Sequence, residues 1–330
     1  MSTVLEVKDL HVSFKTPDGI VQAVRGVDFT VGEGEVLGVV GESGSGKSVS
    51  VLATMGLLPR SAKVTGSIRY RGQELVGLSE AELRTLRGGK LAMIFQDPMT
   101  SLNPVLTVGF QIAEAVETHR PGTRRDTALA KAAELLALVG IPNAKARAGQ
   151  YPHEYSGGMR QRAMIAMAIA NDPDVLIADE PTTALDVTVQ AQILEVLETA
   201  QEATQSAIIL ITHDLGMVAG MADRISVMYA GRVAETGSVF DVFAQPRHPY
   251  TLGLLGSLPR LDDAGSEQLV PIVGSPPSLV HPPPACAFNP RCRFAQPVCG
   301  EDTPPLRPIE GTGQRSACHF AETLDGVSAR

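Results

Sequence analysis

Apolar and polar residues alternate along the start of the chain. Leu5, Val7, Leu10, Val12 and Phe14 precede a break at Pro17-Asp18-Gly19, and Val27, Phe29 and Val31 follow it. A period of two marks half-buried strands and Pro-Asp-Gly is turn chemistry, so this stretch predicts an antiparallel sheet. The pattern then changes. Val36-Leu37-Gly38-Val39-Val40 is unbroken, as in a strand buried on both faces, and a glycine-rich turn leads from it into an apolar helix starting near Lys47. From about Thr107 to Gly149 the chain is alanine-rich with helical spacing. Asp126 is the expected N-cap of a helix running through Val139, with Gly140 as its stop. Two more buried strands, Val175 to Ala178 and Ile208 to Thr212, flank a helical stretch from about Val187 to Ala203. That βαβ order predicts a largely parallel core sheet. A strand from Ile225 to Tyr229 ends in an Ala230-Gly231 turn. From Arg260 to Pro284 proline, glycine and serine dominate, predicting a linker or extended arm before a small cysteine-bearing appendix. No internal repeat of about 20 to 50 residues is present, so the unit occurs once.

Composition narrows the classes. The 330 residues are 44% hydrophobic and 19% charged with a net charge of -8, which describes a globular chain and argues against one built to grip nucleic acid phosphates. No apolar run reaches about 18 residues, and the start carries neither a basic nor an apolar leader segment; the expectation is a cytoplasmic chain that does not itself cross a bilayer. All four cysteines fall between Cys286 and Cys318, so they belong to a local site and cannot staple the main domain.

Three constellations carry chemistry. Gly41-Glu-Ser-Gly-Ser-Gly-Lys47-Ser48 follows a buried strand and opens a helix, which is the context a phosphate-binding loop needs. There Gly41, Ser43, Gly44 and Gly46 let backbone N–H groups point at phosphate oxygens, Lys47 reaches the β and γ phosphates, and Ser48 is expected to ligate magnesium. The second is the strand ending in Asp179-Glu180. Side chains alternate along a strand, so Asp179 can face the metal while Glu180 holds an attacking water; two acids solvated at a strand end is the bland alternative. The third is Ser156-Gly157-Gly158, a serine N-cap and two glycines opening a helix expected to run through Ala170. Capping alone accounts for such a serine, while the helix N-terminus also offers a second anion site.

The order GESGSGKS, Gln96, SGGMRQR, VLIADEPTTALD and His213 resembles the ABC ATPase family over about residues 5 to 240. The resemblance implies an α/β fold, a P-loop NTPase ABC cassette with a RecA-like core sheet, an antiparallel β subdomain and a helical subdomain. It implies that two cassettes sandwich two ATP molecules, with Ser156, Gly157 and Gly158 covering a partner's γ phosphate. By the same resemblance Gln96 approaches the magnesium or the attacking water, Asp186 lies at the dimer seam and His213 hydrogen-bonds the γ phosphate. Phe14 takes the place of an adenine-stacking aromatic, although it shares the apolar face of Leu10 and Val12, which suits a core position. The usual signature LSGGQ is altered by Tyr155 and Met159, which puts the fine geometry of that site in question.

Two further segments, Phe95 to Pro104 and His248-Pro-Tyr-Thr-Leu-Gly-Leu-Leu, resemble the oligopeptide, dipeptide and nickel importer branch. The expected domains are 1–259, a nucleotide-binding domain with its helical subdomain at about 97–170, and 260–330, a loop-rich extension. The implied function is ATP hydrolysis coupled to uptake of peptides or a related small solute. The implied partners are a second ABC ATPase subunit, two transmembrane permease subunits and an extracytoplasmic solute-binding protein, with no nucleic acid. The implied place is the cytoplasmic face of the inner membrane. Cys286, Cys292, Cys299 and Cys318 suit a metal site better than disulfides in a reducing compartment; zinc and an iron-sulfur cluster both satisfy the ligand count. Members of the branch carry a similar cysteine pattern that can hold a 4Fe-4S cluster. Alternative readings are a soluble ABC ATPase acting on nucleic acid or ribosomes, and a redox sensor in which ATP is regulatory.

Overall fold

The computed structural model describes residues 2–97, 101–183, 186–257, 272–324 and 326–327. Pro98, Met99 and Thr100 of the importer-type segment, Ala184 and Leu185 after the carboxylate strand, and residues 258–271 of the expected linker lie outside the described residues. The chain divides into two compact units, each assembled from discontinuous pieces: residues 1–5, 31–36 and 70–211 form the first, and residues 6–30, 37–69 and 212–330 the second.

In the first unit, β5 (Gln73–Glu74) and α2 (Glu80–Leu86) lead to β6 (Leu91–Ile94), and β6, β7 (Val175–Asp179) and β8 (Ala207–Thr212) run parallel. Every residue of β7 is buried, as its apolar run predicts. The register sets Leu91 against Val175 and Asp179 against Ile211, so the acidic end of β7 comes out at the carboxyl edge of the ladder. Between β6 and β7 lies a helical insertion: α3 (Val108–His119), α4 (Arg125–Leu138), α5 (Ala144–Arg147) and α6 (Gly157–Ala168). A further helix, α7 (Val187–Thr204), joins β7 to β8. The expected cap at Asp126 is displaced: Arg124 is the N-cap of α4 and makes no side-chain cap bond, and Asp126 lies in the first turn. There its carboxylate still favours the positive end of the helix dipole without accepting a backbone N–H. Gly140 follows the helix at a φ of 74°, as a C-terminal stop requires. Helix α6 ends at Ala168 rather than Ala170, since Ile169 is already its C-cap.

In the second unit, β1 (Thr3–Thr16, from residue 6 on) and β2 (Gly19–Gly32, to residue 30) form the expected hairpin, with the body of β4 (Ala62–Tyr70) beside β1. β3 (Val36–Val40) runs parallel to β9 (Arg224–Tyr229), which turns through Ala230-Gly231 into antiparallel β10 (Arg232–Ser238). Both turn residues have positive φ, the geometry that matches hairpin twist. β10 was not anticipated because Glu235 and Gly237 interrupt its apolar run. Past α9 (Val239–Ala244) and α10 (Pro249–Gly256), the cysteine-bearing segment adds β11 (Arg307–Pro308) and β12 (Arg315–Ser316), with β12 antiparallel to β10. Its Phe288 packs against Tyr229 and Tyr250 in a core that also holds Val40 and Val227.

Candidate functional site

The glycine-rich loop of the second unit joins β3 to α1 (Lys47–Thr54). Gly41 has a φ of 151°, and a Cβ there would stand 2.2 Å from the Met228 carbonyl oxygen; at Gly46, φ is 100° and a Cβ would stand 2.5 Å from the Ala23 carbonyl oxygen. Neither position admits a side chain, so the loop lies flat on neighbouring backbone. Gly44 meets open space, and Ser43 is exposed. Lys47 is buried along its length, and its ammonium donates to the carbonyls of Gly41 at 2.7 Å and Glu42 at 3.0 Å. Ser48, the next residue, is half-buried in the first turn of α1.

Glu42, at the second position of the loop, is held from the far end of the chain. Its N–H donates to the Tyr250 hydroxyl at 2.8 Å, and its carboxylate accepts from Arg291 at 2.7 and 2.9 Å. Sequence reasoning missed this set of contacts: Glu42 reads there as one of the variable positions of the loop, and Arg291 as a residue beside cysteines. His213 is exposed just before α8 (Leu215–Met221), which Asp214 caps by accepting from Gly216 N–H at 2.8 Å. Phe14 is half-buried on β1, while Leu10 and Val12 on the same side are fully buried.

In the first unit Asp179 is 6% exposed at the end of β7. Glu180 follows at a φ of 47°, a left-handed conformation held by its N–H donating to Ile211 carbonyl at 2.8 Å. That turn swings its carboxylate toward Gln96 and Thr183, which donate to Oε2 at 3.1 and 2.9 Å. Gln96 and Glu180, 84 residues apart, are thus brought together. Asp186 caps α7 by accepting from Val189 N–H at 3.0 Å. Ser156 caps α6 by accepting from Met159 N–H at 3.3 Å, and Ser156 and Gly157 are exposed while Gly158 is half-buried near Val189. Tyr155, the departure from the usual signature, is 2% exposed and donates its hydroxyl to Arg147 carbonyl at 3.0 Å; burial pushes its pKa up to about 12. It anchors the start of the signature helix to α5.

The four cysteines are free thiols that line one cavity together with Phe288, Phe294 and Phe320. Burial first, and then the proximity of the other thiols, pushes Cys318 up to about 11, and burial likewise raises Cys286 and Cys292. Among the described residues no three His, Cys, Asp or Glu side chains stand close enough together to hold a metal ion. Four sulfur donors facing one apolar cavity nonetheless fit, as a donor set, a group held by thiolates.

A family model described as ABC transporter matches residues 24–183, and one described as the C-terminal region of oligopeptide/dipeptide transporters matches residues 234–299. The oligopeptide transport ATP-binding protein OppD of Mycobacterium tuberculosis is 53% identical over 329 residues, covering 100% of this chain and 54% of that protein. The chain thus spans about half the length of the mycobacterial relatives it matches. The dipeptide transport ATP-binding protein DppD of Bacillus subtilis is 56% identical over 301 residues, 91% of this chain and 89% of that one. Among solved structures, a dimeric ATP-binding cassette in a post-hydrolysis state bound to ADP and Pi matches with a TM-score of 0.64 at 26% identity, over 71% of this chain and 98% of that one.

Proposed function

The chain belongs to the ABC transporter family, among its oligopeptide and dipeptide transport ATP-binding proteins, and from that premise we propose that it is the ATP-hydrolysing motor subunit of a peptide importer. The observations that carry the reading are, in one unit, a glycine loop with Lys47 lying along it and, in the other, Glu180 just past a buried strand and held by Gln96. In this reading Gly41, Ser43, Gly44, Gly46 and Lys47 cradle the phosphates of ATP, Ser48, Asp179 and Gln96 attend the magnesium ion, and Phe14 stacks on adenine. Glu180 orients a water that attacks the γ phosphorus; the bond to the β-bridging oxygen breaks, leaving ADP and phosphate, and positioning with charge neutralisation supplies most of the acceleration. His213 contacts the γ phosphate, Ser156, Gly157 and Gly158 cover that of a partner cassette, and Asp186 lies at the seam.

The partners in this reading are a second cassette subunit, two permease subunits and an external solute-binding protein. In this reading the permease holds this chain at the cytoplasmic face of the inner membrane; among the described residues no helix is long and apolar enough to cross a membrane. Cys286, Cys292, Cys299 and Cys318 hold a 4Fe-4S cluster, with zinc the alternative, and such a group supplies folding free energy to a segment with a small core.

The test is a pull-down from membranes through a tag on this chain, with an ATPase assay, metal and sulfide analysis, and identification of what copurifies. A second ATP-binding subunit, two membrane proteins and magnesium-dependent turnover are expected. Recovery of the chain alone, or with ribosomes, overturns the importer reading.

A further inference from the structure

Arg291 lies between Cys286 and Cys292, in a turn closed by Asn289 N–H donating to Cys286 carbonyl at 3.0 Å and Cys292 N–H to Asn289 carbonyl at 3.2 Å. Its side chain is 5% exposed, and all five guanidinium donors are committed. Nε donates to Val273 carbonyl at 3.0 Å; one terminal nitrogen donates to Glu42 Oε2 at 2.7 Å and the Tyr229 hydroxyl at 3.2 Å; the other donates to Glu42 Oε1 at 2.9 Å and Ile272 carbonyl at 3.4 Å. The Tyr229 and Phe288 rings flank the cation at 5.8 and 5.9 Å. This is a socket that receives a single carboxylate, and the carboxylate comes from the phosphate loop.

Glu42 is immobilised on every side. Arg291 holds its carboxylate, Tyr250 its N–H, and its carbonyl accepts from both Lys47 ammonium at 3.0 Å and Ser45 N–H at 3.2 Å. The peptide that positions Lys47 and opens the loop is therefore clamped by residues of the C-terminal segment. A two-toothed arginine–carboxylate pair with its guanidinium buried and its carboxylate half-buried is the strong, directional kind, unlike a fully exposed pair.

We propose that Arg291 is a positioning residue for the phosphate loop, through which the cysteine-bearing segment sets the affinity of the loop for nucleotide. The inference rests on the nucleotide reading above. Because the turn that carries Arg291 ends in two of the four cysteines, whatever orders that turn also orders the loop; the arginine acts through Glu42 and touches no phosphate itself.

The experiment measures the dissociation constant of the fluorescent nucleotide MANT-ATP with magnesium on the full chain, alongside melting temperature. Arg291→Gln and Glu42→Gln are each expected to weaken binding about tenfold, as the loss of one charge-assisted pair predicts. The double variant is expected to be no weaker than either single, because both remove the same contact. Arg291→Lys, which keeps the charge but offers its donors from a single nitrogen, is expected to recover part of the loss. Arg307→Gln serves as control, because it breaks an ion pair with Glu322 inside the same segment but far along the chain from the turn; it is expected to lower melting temperature and leave affinity unchanged. Unchanged affinity in Arg291→Gln, additive losses in the double variant, or an equal loss in Arg307→Gln overturns the proposal while leaving the nucleotide reading intact. Absence of MANT-ATP binding by the unaltered chain overturns both.

Discussion

Glu180 is a left-handed residue with a full side chain, a conformation that costs on the order of 1–3 kcal/mol and persists only where neighbours hold it. Here Ile211 carbonyl, Gln96 and Thr183 hold it, so its replacement by the isosteric amide should leave the turn in place. Glu180→Gln is expected to bind ATP as the parent does and to lose turnover by about 10²–10⁴-fold, the range of a positioned base; an ATPase assay beside a binding titration checks it, and full turnover removes Glu180 from its role. Gly46→Ala drives a methyl against Ala23 carbonyl at a positive φ, so MANT-ATP affinity and melting temperature should both fall. The sequence names Gln96 and Glu180 by pattern, yet their contact is invisible there, since nothing in a one-dimensional string measures a separation of 84 residues. Arg291 is a harder case: it belongs to no motif, and Glu42 stands at a variable position of the glycine loop.

Elements were legible wherever an apolar run or period decided them, as in β3, β7 and α7, and less so where side-chain chemistry set the boundary. Asp126 is a better cap by residue type than Arg124, but the chain after α3 leaves Arg125 already helical, and its guanidinium packs 4.0 Å over the Phe110 ring. That packing won over the cap. Tyr155 shows the same priority in the signature helix. Tyr155→Leu restores the commoner signature residue yet removes the hydroxyl from Arg147 carbonyl, which keeps only Gln150 N–H, so a loss of about 0.5–1.5 kcal/mol in unfolding free energy is expected, read by denaturant titration.

β10 and α10 meet at two buried ionisable groups. Glu235, wholly buried and accepting the N–H groups of Arg247 and His248 at 2.6 and 3.0 Å, is pushed up from 4.5 to about 7 by burial; His248, buried beside it, is pushed down from 6.5 to about 4. The folded chain binds the Glu235 proton more tightly than the unfolded chain, so that contribution is full below pH 4.5 and lost as pH rises toward 7. For His248 the unfolded chain binds the proton more tightly, so stability grows from pH 4 to 6.5. The two slopes oppose each other. Glu235→Gln removes the falling one, so its melting temperature relative to the parent should climb between pH 4.5 and 7; a constant difference would contradict the assignment.

At the scale of the molecule, the chain passes between its two units five times, so neither unit is a contiguous stretch that a single cut could release. The cysteine-bearing segment is part of the second unit: β12 covers the edge of β10, and Phe288 packs against the contacting rings of Tyr229 and Tyr250. The composition shift near Arg260 announces a different kind of chain and says nothing of where that chain docks, because loop-rich segments carry no periodicity from which a partner can be inferred. A chain ending at Ser257 would leave β10 an open edge and those rings bare, so it should melt lower and aggregate, as light scattering during a thermal ramp would show. Equal stability would mean the segment is an ornament.

The clamp on the phosphate loop also has a schedule. Glu42 and Arg291 are 249 residues apart, and at roughly 5–20 residues per second a ribosome needs about 10–50 s to travel from one to the other. Throughout that interval the nascent chain carries its glycine loop without the arginine that steadies it, and the loop becomes complete only once Arg291 has emerged. Competence for nucleotide is in this way deferred until the cysteine-bearing segment has been made, and a product truncated or stalled before Arg291 is born with a slack loop.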